Sequence, residues 1–193
     1  MDTKQGLPVL SFSSQKEWEE WLDKHHQPSK GLWLKIAKKG AETATVSYAE
    51  ALDAALCYGW IDGQKGALDD RFWLQKFTPR GPKSTWSKVN REKAQALIQA
   101  GRMKPAGLAA IEQAQQDGRW ERAYESQSKA TVPEDFQREL DRNPEAAAFF
   151  ATLESYNRYA ILYRIQEAKK PETRAKRIEK FIGMLKRGEK VHP

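Results

Sequence analysis

Residues 56–105 combine tryptophans with arginines, aspartates and amides more densely than any other part of the sequence. Tryptophan offers a flat amphipathic surface, and arginine offers a planar fork that fits carboxylate or phosphate. Such mixtures are typical of ligand pockets, whereas core segments favour aliphatic side chains. The sequence therefore predicts a pocket for a small anionic or polar ligand, lined by Trp60, Asp62, Gln64, Arg71, Trp73, Arg80, Trp86, Ser87 and Asn90.

Two residues of this predicted pocket have competing interpretations. Asp62 lies between Trp60 and a glycine, so it can be a ligand-binding or general-base carboxylate, the first residue of an Asp-Gly turn, or both. Arg80 closes a predicted strand, where its guanidinium can bind an anion together with Trp86 and the amides that open the next helix. The alternative makes Arg80 an ion-pair partner of an acid such as Asp62, and Ser87 a helix cap only.

Metal and thiol chemistry find little support in the sequence. Metal sites need clustered His, Cys or carboxylate ligands, but His25 and His26 are adjacent and so point apart on a helix, and His192 lies near the end. The single cysteine, Cys57, ends an apolar segment, which is typical of a buried packing residue and not of a nucleophile. Phosphate loops, dinucleotide fingerprints and nucleophile elbows do not occur. We expect no metal and no cofactor.

Capping signals and periodicity place the predicted pocket on an amino-terminal layer of strands and helices. Capping-box spacing begins a helix at about 14–26 and another after Ser47 that ends at Gly59. Alternating apolar residues predict strands at 32–37, 60–66 and 71–78, with a short edge strand around Ser11. The sequence thus predicts an α+β fold whose small sheet has three or four strands with two helices.

From residue 84 onward the pattern is helical, and it predicts a mainly helical carboxy-terminal half. Ser87 and the prolines at 105, 133 and 144 mark helix starts. A later helix presents tyrosines 156, 159 and 163 on one face, and the last helix has a stripe formed by Arg174, Ile178, Phe181, Ile182 and Leu185. The polar segment 125–131 is the best candidate for a joint. We therefore divide the chain into an α+β domain with following helices at 1–126 and a helical region at 127–193.

The net charge of +7 is concentrated near the carboxyl end. Residues 1–82 and 83–154 each hold 11 Lys or Arg against 11 Asp or Glu, whereas residues 155–190 hold 11 against 4. Such a surface attracts nucleic acid or acidic partners, although an ordinary solvated helix face gives the same pattern. The residues that would contact an anionic partner are Arg174, Lys176, Arg177, Lys180, Lys186 and Arg187. Nucleic acid is not favoured, because all tryptophans precede residue 121 and the charge excess follows residue 154.

Several strings of the sequence are distinctive. They are LCYGWIDGQ, RFWLQKFTPR, STWSKVN and GRMKPAG in the pocket region, FSSQKEWEEWLDKHH near the start, and AKKPETRAKRIEKFIGMLKRGEK at 168–190. These strings resemble the bacteriocin-protection, YdeI/OmpD-associated family. The last is similar to the carboxy-terminal helix of that family, and together the strings span nearly the whole chain. The family has no established enzyme activity, cofactor or catalytic residue, so the resemblance implies none.

Hydropathy and cysteine usage favour a cytoplasmic protein. No apolar run approaches the ~20 residues of a membrane span, the amino terminus lacks a signal peptide, and one cysteine forms no internal disulfide. We expect a binding protein whose partner is a small molecule or a protein, without membrane insertion. Nucleic-acid binding by the basic terminal helices is the second hypothesis, and an enzyme that uses Asp62 and Arg80 is the third.

Overall fold

A computed structural model describes residues 2–125 and 129–192 in two compact units, Met1–Ala123 and Tyr124–Pro193. We call them the amino-terminal and the carboxy-terminal unit. The elements of the first are β1 (Thr3–Lys4), β2 (Leu7–Leu10), α1 (Gln15–His25), β3 (Leu32–Ala37), α2 (Tyr48–Cys57), β4 (Trp60–Ala67), β5 (Phe72–Pro79), α3 (Lys88–Gln99) and α4 (Pro105–Gln116). Those of the second are α5 (Glu134–Asp141), α6 (Pro144–Thr152), α7 (Ser155–Gln166) and α8 (Pro171–Lys186).

The amino-terminal sheet confirms the predicted α+β class. Its strand order is β1-β2-β3-β5-β4, with β2 and β3 parallel and the other pairs antiparallel. Within residues 2–125 the sheet has five strands, where the sequence predicts three or four. The edge strand predicted around Ser11 lies instead at Leu7–Leu10, as β2, and is not at the edge, because β1 pairs outside it. This additional two-residue strand can pair with β2 since Gln5 and Gly6, with positive φ angles of 52° and 73°, reverse the chain.

One face of this sheet forms the main core. Alternation along β3 puts Leu32 and Leu34 on the same face as Phe77 of β5, which pairs with Leu32. Helices α1 to α4 cover this face with buried side chains such as Trp18 of α1 and Leu52 of α2. Fully burying one such side chain contributes about 1.5–3 kcal/mol, so this face holds the helices on the sheet.

The connection from α2 to β4 depends on a glycine. Gly59 has a φ of 71°, which ends α2 and turns the chain into β4. A Cβ at this position would lie 2.8 Å from the carbonyl oxygen of Ala106 in α4, closer than real Cβ atoms come. The glycine therefore allows both the turn and the close approach of α4, as the predicted helix end at this position requires.

The carboxy-terminal unit has its own core. Phe136, Phe150 and Ile165 are buried together with the apolar part of the predicted α8 stripe, Ile178, Phe181, Ile182 and Leu185. Arg174, the first member of that stripe, is partly exposed. The tyrosines predicted to mark a face of α7 do not form its buried side, which consists of Asn157, Ala160, Ile161, Leu162 and Ile165. Aliphatic side chains bury completely at little cost, whereas a phenol needs a hydrogen-bond partner, so the tyrosines remain at the rim.

Two predictions concern the segment that connects the two units. The predicted joint at 125–131 and the predicted boundary between residues 126 and 127 involve residues 126–128, which lie outside the described residues.

No helix within the two described ranges is both long enough and apolar enough to cross a membrane.

Candidate functional site

The residues predicted for one pocket occupy different surroundings in the structure. Trp60 lies in the aromatic part of the main core, where its ring makes edge contacts with Trp18 and Trp21 at 6.3 and 5.8 Å. Its Nε1 donates to the carbonyl oxygen of His26 at 3.1 Å. With 1% of its surface exposed, this indole packs the core and presents no face to a ligand in this structure.

Asp62 and Trp73 belong to a second group, with Tyr48 at the start of α2. The Tyr48 hydroxyl donates to Asp62 Oδ2 at 2.8 Å, and the Tyr48 and Trp73 rings are 6.0 Å apart. Burial, followed by this hydrogen bond, raises the pKa of Tyr48 above its usual range. Lys65 Nζ lies 4.4 Å from the centre of the Trp73 ring. The ion pair between Asp62 and Arg80 that the sequence allowed is not found in the described part of the chain, where Asp62 accepts from Tyr48 instead.

The predicted Asp-Gly turn at Asp62 is wrong. Asp62 and Gly63 lie inside β4, which pairs with β5 across a register shift between Asp62 and Lys65. An irregularity of this kind places extra residues in one strand without reversing the chain. Gln75 of β5 donates across it to the carbonyl oxygens of Gly63 and Gln64 at 2.9 and 3.3 Å, so Gln64 takes part through its backbone.

Arg71 lies apart from the other predicted pocket residues. It immediately precedes β5, and its guanidinium carbon lies 5.6 Å from the centre of the Phe72 ring. Alternation along β5 places Phe72 on the face opposite to Phe77, away from the helices. Arg71 therefore belongs to the other side of the sheet from Trp60 and Trp73.

Arg80 and Trp86 do come together, at the start of α3. The Arg80 guanidinium carbon lies 3.5 Å from the centre of the Trp86 ring, and its Nη1 donates to the Thr85 carbonyl oxygen at 3.2 Å. Trp86 makes an edge contact with Trp120 at 4.8 Å and is 2% exposed. Stacking on a fixed indole holds the plane of the guanidinium.

Two further arginines join this group, which we call the guanidinium–tryptophan cluster: Arg80, Trp86, Arg91, Arg119 and Trp120. Arg91 Nη1 donates to the Trp120 carbonyl oxygen at 3.2 Å. Arg119 Nη1 donates to the Ser84 carbonyl oxygen at 2.6 Å, and its side chain is 12% exposed. Sequence reasoning missed Arg91, Arg119 and Trp120. Arg91 falls one helical turn after Ser87, which is a usable signal, but nothing in the local sequence connects residues 119 and 120 with α3.

The helix start beneath the cluster confirms the predicted cap. Ser87 Oγ accepts from the backbone N–H of Asn90 at 3.1 Å, so α3 begins at Lys88. Asn90 is buried in the first turn. Ser87 and Asn90 thus act in building the helix end, while the adjacent side chain of Trp86 lies within the cluster.

The guanidinium–tryptophan cluster has more hydrogen-bond donors than acceptors. Asp117 accepts from Arg119 Nε at 2.8 and 2.7 Å; partial burial opposes its ionisation, but the hydrogen bonds from Arg119 outweigh it and lower the Asp117 pKa. Arg91 has no ion pair with a carboxylate in the described part of the chain. Three buried donor atoms, Trp86 Nε1, Arg91 Nε and Arg119 Nη2, find no acceptor among residues 2–125 and 129–192. Buried donors without acceptors are costly, so the cluster is incomplete as a set of hydrogen bonds.

The predictions about metal and thiol chemistry concern other residues. Among the described residues no three His, Cys, Asp or Glu side chains form a group that could hold a metal ion. Cys57 is buried at the end of α2, and burial is the main cause that raises its pKa to about 11. A thiol in this state is a poor nucleophile at neutral pH, in agreement with a packing role.

The basic surface predicted at the carboxyl end is partly engaged in the protein itself. Arg174 forms an ion pair with Asp135, and Arg187 forms one with Glu189. Arg177 donates to the carbonyl oxygen of Arg164. The exposed members of the predicted surface are Lys176, Lys180, Lys186 and Arg187, the last with Glu189 as its partner. A partner at this surface would meet fewer available guanidinium groups than the sequence suggests.

Two families match parts of the chain. Residues 10–110 match the family described as Domain of unknown function (DUF8412), and residues 129–188 match Bacteriocin-protection, YdeI or OmpD-Associated. The second match confirms the family resemblance for residues 129–188. The amino-terminal strings, which the sequence assigned to the same family, fall in the region of the first match. No curated protein and no solved structure matches.

Proposed function

Because the chain belongs to the family described as Domain of unknown function (DUF8412) and carries a YdeI or OmpD-associated region at 129–188, its families name no reaction, and we propose a function from the cluster itself. The protein is a binding protein for a ligand with a phosphate or carboxylate group. The guanidinium–tryptophan cluster of the amino-terminal unit holds that group. This proposal keeps the anionic ligand expected from Arg80 and Trp86 and moves the site toward Arg91 and Arg119.

The observation that carries the proposal is the pair of arginine donors without acceptors. Arg91 Nε and Arg119 Nη2 are buried, and Asp117 already pairs with the Nε of Arg119. Leaving a buried charged donor unsatisfied costs about 1–3 kcal/mol or more, because the group has lost its water. An anion that accepts from both donors recovers this cost only in the bound state, and so gains affinity from it.

The chemistry of the donors indicates the ligand class. Guanidinium groups present parallel N–H donors, which match the oxygen spacing of phosphate and carboxylate. Trp86 and Trp120 are buried, Trp86 under the Arg80 guanidinium and in edge contact with Trp120, so they hold the arginines and present no exposed ring face to a base or sugar. Recognition is therefore directed at the anionic group, and a doubly charged group gains most.

The same residues argue for binding without catalysis. Arginine stays protonated at all physiological pH values, and the lowered pKa keeps Asp117 ionised near neutral pH. Proton transfer needs a group that titrates near the working pH, and these groups do not. The alternative enzyme hypothesis loses its pairing of Asp62 with Arg80, since Asp62 accepts from Tyr48.

Thermal unfolding with added anions tests the proposal. Inorganic phosphate, pyrophosphate and citrate are compared with chloride at equal ionic strength. A ligand at 100 times its Kd stabilises the folded state by about 2.7 kcal/mol, so one of these anions should raise the Tm in a saturable way. Arg91→Gln and Arg119→Gln should each remove the anion-dependent shift.

The matched control is Arg102→Gln, which removes the same charge from an arginine that pairs with Glu19 at 3.2 Å outside the cluster. Its anion response should equal that of the wild type. Equal responses in all three variants would show a general ionic effect and overturn the proposal. Arg119→Lys, which keeps the charge but loses the fork, covers the case in which Arg119→Gln fails to fold.

A further inference from the structure

The sheet face that the helices leave uncovered combines cations with aromatic rings. We propose that this surface, the lysine face, binds single-stranded nucleic acid; it consists of Lys4, Lys35, Lys76 and Arg71 over Trp33, Phe72 and Leu74. The proposal does not depend on the guanidinium–tryptophan cluster. It also differs from the basic terminal helices, where the sequence separates charge from aromatic residues.

Strand register places these side chains on one face. Lys76 pairs directly with Trp33, and Lys35, two residues further along β3, pairs with Leu74. Because side chains alternate along a strand, all four point to the side opposite to Leu32 and Phe77. Trp33 and Leu74 are buried but lie outside the hydrophobic core that the helices cover.

Each amine of this face is held over a ring. Lys4 Nζ lies 4.7 Å and Lys76 Nζ 5.8 Å from the centre of the Trp33 ring, and Lys35 Nζ lies 3.9 Å from that of Phe72. Gly66 on β4 leaves room for this arrangement, since a Cβ there would lie 2.7 Å from Lys4 Nζ. Lys35 and Lys76 are diagonal neighbours on adjacent strands, whose Cα atoms lie about 7–8 Å apart.

Negative charge lies at the borders of this face and not at its strand positions. The strand positions of β1 to β5 that share the face with Trp33 include no Asp or Glu within residues 3–79. Asp69 lies in the β4–β5 connection, where its Oδ1 accepts from the backbone N–H groups of Arg71 and Phe72 at 2.8 Å. Those backbone bonds, and then Lys35 and Arg71, keep the Asp69 pKa low. Asp2, whose carbonyl oxygen accepts from the Val9 N–H at 2.8 Å, precedes Lys4 by two residues and so adds a carboxylate on the same side at the β1 edge. The charged strand positions between these two places are all lysines.

The indole of Trp33 adds a second, independent observation. Its side chain is 1% exposed, yet its Nε1 donates to no acceptor in the described residues. A buried N–H of this kind calls for an acceptor from outside the chain. A phosphate oxygen or a base carbonyl that displaces the lysine amines would provide one.

A nucleic acid fits this surface better than a protein does. Lysine is depleted at protein–protein interfaces, whereas interfaces with nucleic acid are strongly positive. In these interfaces the lysine amines contact phosphate groups as point charges. The rings lie beneath the amines, so a phosphate that draws an amine aside exposes a ring on which a base can stack. Base stacking on an aromatic ring is stronger than an exposed cation–π contact, so this exchange favours binding.

Fluorescence anisotropy with a labelled oligothymidylate at about 50 mM salt tests the inference, since phosphate contacts weaken steeply as salt rises. The variant with Lys4, Lys35 and Lys76 all changed to Gln should bind at least about tenfold more weakly. Its slope of log affinity against log salt should fall by about 2, since each phosphate contact on a single strand contributes about 0.7. The control changes the exposed residues Lys16, Lys24 and Lys30 to Gln and should change neither quantity by as much.

Several results would overturn the inference. They are equal losses in the two triple variants, absence of oligothymidylate binding by the wild type, or tighter binding of poly-glutamate than of the oligonucleotide, which would point to an acidic protein. Trp33→Phe, which keeps a ring but removes the N–H, should weaken binding with an unchanged salt slope. The lysine variant should keep the phosphate response of the wild type, so this proposal and the proposed function can fail separately.

Discussion

The two units use arginine in different ways, and the contrast distinguishes a structural guanidinium from one available for a ligand. In the carboxy-terminal unit, Arg174 donates Nε and Nη2 to the two oxygens of Asp135 at 2.5 and 2.8 Å, and Nη1 to the Ile165 carbonyl oxygen at 2.9 Å. In the amino-terminal unit, Arg91 and Arg119 each keep a buried nitrogen without an acceptor in the described residues. A completed set of bonds stabilises the fold, whereas an incomplete one has capacity for an anion.

The local surroundings explain this difference. Asp135 lies in the first turn of α5, where its pairing with Arg174 connects α5 with α8. Asp117, by contrast, is 45% exposed and pairs with the arginine two residues further along the same loop. It therefore neutralises Arg119 locally and leaves Arg91 without a carboxylate among the described residues.

The largest effect is expected for Trp86→Ala. Trp86 is buried against Trp120 and under Arg80, so its removal opens a cavity and leaves the Arg80 guanidinium without the ring on which it stacks. Large-to-small changes at such aromatic positions cost about 3–5 kcal/mol. Urea unfolding of the intact chain should show this loss, and Trp86→Phe should recover part of it. A loss below about 1 kcal/mol would mean that Trp86 does not hold the cluster together.

A smaller loss is expected for Asp135→Asn. The amide keeps the shape but cannot receive both guanidinium donors as an ion pair, and the pair is partly exposed, so we expect about 1–2 kcal/mol. The free energy of unfolding measured with urea should show it for the carboxy-terminal unit. An unchanged free energy of unfolding would show that Arg174, like Arg91 and Arg119, contributes little to stability, and would contradict the difference between the two units.

The same ion pair predicts a pH dependence. The Arg174 hydrogen bonds lower the Asp135 pKa in the folded state despite partial burial. The stabilisation is therefore present above the unfolded-state pKa of about 3.9 and is lost as pH falls through the lower folded-state value. Unfolding measured from pH 6 to pH 2.5 should show an acid-sensitive part that Asp135→Asn lacks. Parallel curves for the two proteins would contradict it.

The smallest change in the free energy of unfolding is expected for Arg91→Gln in the absence of anions. Its guanidinium makes one bond to the Trp120 carbonyl oxygen and has a buried Nε without an acceptor in residues 2–125 and 129–192, so little net stabilisation is lost. The unfolding free energy should change by no more than about 0.5 kcal/mol. A loss as large as that of Asp135→Asn would show that Arg91 is a structural arginine after all.

The sequence predicts the elements well, because their signals are local. The capping box at Ser47 lies within one helix turn, and the apolar alternation at 32–37 lies within one strand. The structure confirms both predicted elements, as α2 and β3. The site depends on contacts between distant residues. Trp60 lies in a segment whose composition is typical of a pocket, but the free energy gained by burying its large apolar surface favours a place in the core. Arg119 reaches Ser84 only through the packing of α3 and α4, which no local pattern contains.

The most direct test of the contrast observes the arginine side chains themselves. In ¹⁵N-labelled protein, the Nε–H resonances of Arg91 and Arg174 are assigned by Arg91→Lys and Arg174→Lys and followed while pyrophosphate is added at constant ionic strength. The Arg91 Nε–H, which has no acceptor among the described residues, should move to lower field and saturate, whereas the Arg174 Nε–H, bound to Asp135, should stay in place. An Arg91 resonance that does not move, or that moves together with that of Arg174, would contradict an anion site at the guanidinium–tryptophan cluster.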